Sequence, residues 1–391
     1  MHEKYLLPIG PYHPGMKEPE HFKALVRGEE IVDLDFELGY MYRGIEELAE
    51  KRSWIKVLFL VNRICGICGI AHTINFCGGV EELTGLQVPE RAKYIRTILS
   101  ELNRIHSHLL YLGIAGYAIG FDTIFKWCWA TREMVLDWLE NIAGGRIHYS
   151  MNTFGGVRRD INQNMIRKIE KDLKVFEKKI KEIYEIFRTD RMIDKRMAGI
   201  GTLRKKMAKE LGIVGPTARG SDVKIDVRKQ NPYAAYPDID FKIITEKDGD
   251  CKARALVRAR ECLESIKIID QALSSMSSGK INTGKLILTK VPAGEIVALD
   301  EAPRGENVHY LVSDGGKSPK RLRIRPPTYA NMISVREMSK GSKIADVPII
   351  IESIDPCFGC TDRMTVIDVD SKKQSVVEFD KLLGREKKLV E

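Results

Sequence analysis

Residues 161–187 read INQNMIRKIEKDLKVFEKKIKEIYEIF, and their apolar positions step by three and four: Ile166, Ile169, Leu173, Phe176, Ile180, Ile183 and Phe187. The opposite face is almost all Lys and Glu. The pattern predicts one long helix that packs a single stripe on a core and keeps its other side in water. Upstream, RAKYIRTILSELNRIHSHLLYLG (91–113) carries Ile95, Ile98, Leu102, Ile105, Leu109 and Leu112 on one face. Thr123–Ala143 is apolar all round, and its Trp127, Trp129 and Trp138 predict a buried helix. Helical periodicity begins near Ile45 and runs to about 275, with a last stretch over Lys252–Met276. A Gly- and Pro-rich excursion, GPTARGSDVKIDVRKQNPYAAYPDIDF (215–241), interrupts it.

The two ends of the chain read differently. HFKALVRGEEIVDLDFELGY (21–40) alternates apolar and polar residues around Arg27-Gly28-Glu29, a hairpin signature. After Gly284 come four strand-like runs: KLILTKVP (285–292), EIVALDEAPRG (295–305), NVHYLVSDGG (307–316) and KRLRIRPP (320–327). Gly315-Gly316 marks a turn, and a final helix is expected near Met332–Glu337. The fold class expected is mainly α with small β elements (α+β), a central helical bundle with β-hairpins from both termini. We read 1–391 as one domain: an N-terminal β region (1–45), a helical core (46–276) and a C-terminal β region (277–391).

The 391 residues, 43% hydrophobic and 30% charged, suffice for a sizeable core. No run of about 18 apolar residues is present, so no membrane span is expected. MHEKYLLPIG lacks the pattern of an export signal, which makes the cytoplasm the default address. The net charge of +9 fits a lysine-rich solvated surface, or a basic face toward an acidic partner or anionic lipid. Basic residues are not interleaved with aromatics in a stripe, so no nucleic acid partner is expected.

Eight cysteines are present. Cys77, Cys128, Cys251 and Cys262 stand alone and read as small buried hydrophobes. The other four form two CxxC pairs, in RICGICGIAH (63–72) and DPCFGCTDR (355–363). Two intervening residues let both thiolates reach one metal from a single turn. Four thiolates make a soft site suited to Zn, Fe–S, Ni or Cu(I). A structural zinc module usually closes within a few tens of residues, whereas these pairs lie at opposite ends of the chain. Spacing alone leaves structural zinc, an iron–sulfur cluster and a catalytic soft-metal site open.

RICGICGIAH resembles the RxCGxCxxxH signature of [NiFe] hydrogenase large subunits, and DPCFGCTDR resembles their DPCxxC signature. GPYHPGMKEPEHF (10–22), ELNRIHSHLL (101–110), GGVRRDI (155–161), GPTARGS (215–221) and EAPRGE (301–306) resemble one branch of that family. It is the membrane-associated, energy-converting branch, related to the 49 kDa quinone-site subunit of respiratory complex I. The resemblance spans nearly the whole chain and implies a hydrogenase large-subunit-like fold.

It further implies that Cys65, Cys68, Cys357 and Cys360 bind Ni, with Cys68 and Cys360 bridging to an Fe that carries CO and cyanide. Cys357, a terminal ligand, is then a base for a proton leaving H2. Glu18 matches a proton-relay glutamate; the bare residues also allow a surface acid in a Pro-rich turn. Arg304 matches an arginine above the metal pair; otherwise it could pair with Glu301 or Glu306 on the surface. Pro327 and Thr328 match donors to a cyanide, and His72 a histidine close to the first cysteine pair. His13 resembles the histidine of the complex I quinone loop, while His106 and His108 read as packing residues. Asn62 stands where many relatives have Glu, and Arg363 where many have His. By the same resemblance, an iron–sulfur small subunit would hold [4Fe-4S] clusters. Membrane-embedded subunits would complete a complex peripheral to the cytoplasmic side of the cell membrane, with H2 and protons as substrates.

Overall fold

A computed structural model describes residues 3–14, 16–284 and 288–362 with their side chains, and the backbone of 366–367 and 374–375. Arg363 and most of the tail after it lie outside the described residues, as do Lys285–Ile287 of one expected strand.

The chain opens with a three-stranded antiparallel meander: β1 (Lys4–Ile9), β2 (His21–Arg27) and β3 (Glu30–Glu37). The expected hairpin is its second half, turning at Gly28 with a positive φ of 61°. β1 adds an edge strand that KYLLPI does not announce, because it lacks polar–apolar alternation. Helices α1 (Ile45–Glu50), α2 (Trp54–Val61) and α3 (Gly69–Thr84) follow. Then come α4 (Glu90–Ala118) and α5 (Asp122–Ala143), a small hairpin of β4 (Asn152–Thr153) and β5 (Gly156–Val157), and α6 (Gln163–Thr189).

The seven apolar positions of α6 are all buried, and the Asn162 side chain caps its start by accepting from the Met165 N–H at 3.0 Å. Short helices α7 (Arg191–Met197) and α8 (Lys205–Glu210) follow, and the excursion over 215–241 holds α9 (Gly215–Arg219), α10 (Val227–Gln230) and a 3-10 turn, Tyr236–Asp238. α11 (Cys251–Ser275) packs along α4 and α6. A second meander, β6 (Gly294–Ala302), β7 (Gly305–Ser313) and β8 (Arg321–Arg325), leads to α12 (Pro327–Ser339) and α13 (Val347–Ser353).

Three expectations need correction. α5 is not buried all round: Trp127 is 36% and Trp129 39% exposed. Only one side of α5 meets α4 and α6. Trp129 joins Phe125 and Tyr117 in a surface row and is covered in part by the Arg132 guanidinium, 5.5 Å from its ring centre. Trp138 alone is buried, edge-on to Phe176 at 5.1 Å. No strand forms over 288–292, the described part of KLILTKVP. There the Val291 carbonyl accepts from the Ser313 hydroxyl instead of joining a ladder. Finally, α12 starts five residues before Met332, because Pro327 is already set for the first helical turn.

α4 runs through the middle of the molecule and is buried on nearly every side. Its polar residues therefore need internal partners. Glu101 accepts from Arg228 Nη1 at 2.9 Å and from the Ser265 hydroxyl, and His108 pairs with Glu261 at 2.9 Å. Arg219 in turn joins Glu261 and Glu301, each at 2.7 Å. This buried ionic layer sits beneath the turn that joins β6 to β7.

Candidate metal centre

Cys65 and Cys68 lie in the turn between α2 and α3, with Cys68 at the N-cap of α3. Cys357 and Cys360 follow α13 in a tight turn, Phe358–Cys360. The fold brings the two turns face to face. Cys357 Sγ lies 3.3 Å from Cys65 Sγ and 3.0 Å from Cys360 Sγ, and Cys68 Sγ is 3.6 Å from Cys360 Sγ. All four are buried free thiols. The Ile67 and Cys68 N–H groups donate to Cys65 Sγ at 3.2 and 3.4 Å. Contacts from the Cys357, Cys360 and Cys65 thiols, with burial opposing and His72 assisting, hold Cys68 well below the usual thiol pKa. Its contacts with Cys357, Cys65 and Cys68, reinforced by burial, push Cys360 well above it. Charge on one sulfur thus resists charge on its neighbours, and four thiolates here require a cation among them.

Backbone and side-chain bonds fix the two turns. The Arg43 guanidinium donates to the carbonyls of Arg63 (3.2 Å) and Ile64 (2.6 Å) in the first motif, and to that of Gly359 in the second. The Asp362 carboxylate accepts from the Arg43 and Ile45 N–H groups, both at 2.6 Å. The Asn103 amide of α4 donates to the Ile67 carbonyl at 2.6 Å. Thr328 Oγ1 accepts from the Cys357 N–H at 3.1 Å, which leaves the hydroxyl proton free to point elsewhere. Pro327 begins the helix that carries it.

Glu18 is half-buried, not a surface acid: its Oε2 accepts from the Gly359 N–H at 3.0 Å, between the two C-terminal cysteines. Arg304 is 2% exposed and pairs with neither Glu301 nor Glu306. It occupies the tip of the β6–β7 turn. Its Nε donates to the Asp355 carbonyl at 2.7 Å, Nη2 to Asp355 Oδ1 at 2.9 Å and Nη1 to the Ser107 hydroxyl at 3.1 Å. Burial works against its charge, but Asp355 and the cysteines outweigh burial and raise its pKa. Lys17 adds a second cation, 2.8 Å from Glu352 and 3.4 Å from Asp355. His72 stacks on His309 of β7, with Nδ1 3.1 Å from its Nε2.

Lys17, Arg43, Asp355 and His309 escaped the sequence reading. Lys17 adjoins Glu18, and Asp355 opens the DPC motif, so proximity to a flagged residue was the available signal. Arg43 and His309 carry none. Of the remaining histidines, His13 is exposed in the 10–20 loop. His108 faces Glu261 and His106 accepts from Arg132 Nε at 2.9 Å. Burial depresses both imidazoles, His108 to about 4 against the pull of Glu261, so both are neutral near pH 7. Asn62 donates to the Ser150 hydroxyl at 3.0 Å, and its carbonyl lies 3.1 Å from His148 Nδ1. It braces the loop after α5 against the first motif.

The donor set suits a soft metal. Four sulfurs converge from two turns, and two fixed cations, Arg304 and Lys17, stand nearby.

Two family models match the chain. One, described as respiratory-chain NADH dehydrogenase, 49 Kd subunit, matches residues 118–290 and 286–363. The other, described as nickel-dependent hydrogenase, matches residues 43–113. Membrane-bound hydrogenase subunit alpha of Pyrococcus furiosus is 40% identical, over 96% of this chain and 91% of that protein. An NADH-quinone oxidoreductase subunit from Dehalococcoides mccartyi is 35% identical, over 92% of this chain and 99% of that protein. Among solved structures, a chain of the membrane-bound sulfane sulfur reductase, an archaeal respiratory membrane complex, superposes with a TM-score of 0.87. It is 34% identical, over 92% of this chain and 99% of that one.

Proposed function

The chain belongs to the family that unites nickel-dependent hydrogenases with the 49 kDa subunit of respiratory NADH dehydrogenase, and we propose that it is the catalytic large subunit of a membrane-associated [NiFe] hydrogenase. The observation that carries this reading is the convergence of Cys65, Cys68, Cys357 and Cys360 with Glu18 held on the loop between the last two. When bound, a Ni–Fe pair would supply the redox site at which two protons and two electrons interconvert with H2.

The chain's own residues then divide the work. The four cysteines would hold the metal pair through their thiolates. Cys357 would act as the base for a proton leaving H2, and Glu18, whose Oε2 accepts from the adjoining Gly359 N–H, would receive it. Arg304 keeps a positive charge fixed by three bonds beside the centre, the kind of preorganised donor that gains strength in a buried site. Arg304 and the Thr328 hydroxyl would supply donors for diatomic ligands on iron, while Pro327, which has no N–H, starts the helix that positions Thr328. His72 orients the Cys68 thiolate from one helical turn away. Electrons would enter from [4Fe-4S] clusters in an iron–sulfur small subunit, and membrane-embedded subunits would couple turnover to ion translocation. No described helix is long and apolar enough to cross a membrane. In this reading the chain is a peripheral subunit of its membrane complex, on the cytoplasmic face.

A second reading has its own support. The sulfane sulfur reductase complex contains a chain that this one matches along 99% of its length. The centre would then serve reduction of a sulfur compound. Metal analysis of the complex, purified without oxygen from its native host, separates the two. About one nickel per chain, with H2 evolution from a low-potential donor, is the expected result. A complex free of nickel that reduces polysulfide but evolves no H2 would overturn the hydrogenase reading. Zinc alone would point to a structural site.

A further inference from the structure

Glu20 is 0% exposed, and among the described residues neither carboxyl oxygen has a hydrogen-bond partner of proper geometry or an ion-pair partner. Such a group costs free energy. It faces inward beside Phe22 on the face of the first meander whose Phe22 ring meets Phe358, 6.4 Å away, in the C-terminal cysteine turn. On one side of it in the chain is Glu18, bonded to the Gly359 N–H. On the other is His21, which the strand register sets opposite Glu37, with Nδ1 2.9 Å from Glu37 Oε2. Glu37 also pairs with Lys23 and is in contact with water, its side chain 40% exposed. The charges of both Glu18 and Glu37 act on the Glu20 carboxyl, and of the three Glu20 is the buried one without a hydrogen-bond partner among the described residues.

We propose that Glu20 is a proton-relay residue between Glu18 and the solvent-facing His21–Glu37 pair. In the direction of H2 formation, the neutral Glu20 carboxyl gives its proton to the Glu18 carboxylate. It then takes one from the His21–Glu37 pair, which recovers a proton from water. One proton enters and one leaves, no electron moves, and the reverse sequence serves H2 oxidation. Burial raises the Glu20 pKa to about 8, the His21 amide partly opposes this, and the charges of Glu18 and Glu37 add to it. A carboxyl poised near neutrality both gives and accepts protons at working pH. The inference rests on Glu18 serving the metal centre.

The test compares wild type, Glu20→Gln, Glu20→Asp and Glu18→Gln in the intact, metal-loaded complex. In Glu20→Gln, exchange between H2 and D2O should fall by about tenfold or more while nickel content stays at the wild-type level. Glu20→Asp should recover part of the rate. Infrared spectra at pH 7 should show a protonated carboxyl band that is lost in Glu20→Gln. Wild-type exchange in Glu20→Gln, or no band assignable to Glu20, overturns the relay. If the wild-type complex does no H2 chemistry, the functional reading fails on its own. The same variants are then compared in polysulfide reduction, which also consumes protons, and an unchanged rate in Glu20→Gln overturns the relay there.

Discussion

Arg304 spends each of its guanidinium nitrogens on a fixed partner, two of them on Asp355. Asp355 is fully buried, and its next cation, Lys17 Nζ, is 3.4 Å away. Removing one member of a buried pair leaves the other uncompensated and costs about 3–5 kcal/mol. Arg304→Met should therefore lower the unfolding free energy by that order in denaturant titration. Arg304→Lys should cost less, because a point charge remains, but it loses the planar fork. A loss below about 1 kcal/mol in Arg304→Met would mean that Lys17 alone neutralises Asp355. At this scale the four cysteines stood out as two CxxC pairs, whereas Glu18, Arg304 and Thr328 were singled out only because their settings resemble those of a known family. Their partners were not. Glu18 meets Gly359 from 341 positions away and Arg43 meets it from 316, and no local pattern encodes such a meeting. Glu20 was passed over for another reason: its burial, which makes it unusual, depends on the packing of the first meander.

The β6–β7 turn that presents Arg304 leans on the start of α9, backbone against backbone. Gly215 has a φ of +65°, and a Cβ there would stand 2.2 Å from the Arg304 carbonyl oxygen. Gly212, three residues earlier, has the same φ but open space around it. The two positions separate backbone strain from packing. Gly212→Ala should cost only the left-handed penalty of about 1–2 kcal/mol. Gly215→Ala should cost that plus displacement of the turn, about 1–3 kcal/mol more. Thermal unfolding of the two variants measures the difference, and equal losses would show that the turn yields freely to the added methyl. Elements were legible where the pattern was itself the physical cause. The stripe of α6 is what buries it, and its expected positions are the buried ones. α5 was misjudged because its composition was read in place of its periodicity. Three tryptophans suggested an interior, yet two of them cap a helix face that no described element covers. β1 falls within the expected N-terminal β region, but its bounds were not marked, because an edge strand, paired on one side only, needs little alternation.

Across the whole molecule, the cysteine turns are joined although Cys65 and Cys357 stand 292 positions apart. The bundle of α4, α5, α6 and α11 buries its own apolar stripes, and it meets the junction through Asn103 to Ile67, Ser107 to Arg304 and the packing of Ile70 and Phe358. The two turns are tied mainly by polar contacts, from Arg43, Asp362 and Glu18, each of modest net worth. Most of the strength of the junction should therefore come from whatever binds the four thiols, since a ligand that binds only the folded state stabilises what it bridges. The general architecture, helices in the middle and small sheets at the ends, was legible because it follows from periodicity. The closure of the ends onto one site was legible only through the paired motifs. Hydrogen exchange on loaded and metal-depleted complexes tests the division. Depletion should raise exchange at the backbone amides of 62–70 and 355–362 by about tenfold or more, equivalent to roughly 1.4 kcal/mol of local stability. Amides of α4 and α11 should keep their protection. Loss of protection spread evenly through those two helices would show instead that the centre and the bundle fold as one cooperative unit, with the metal holding the core together as well as the site.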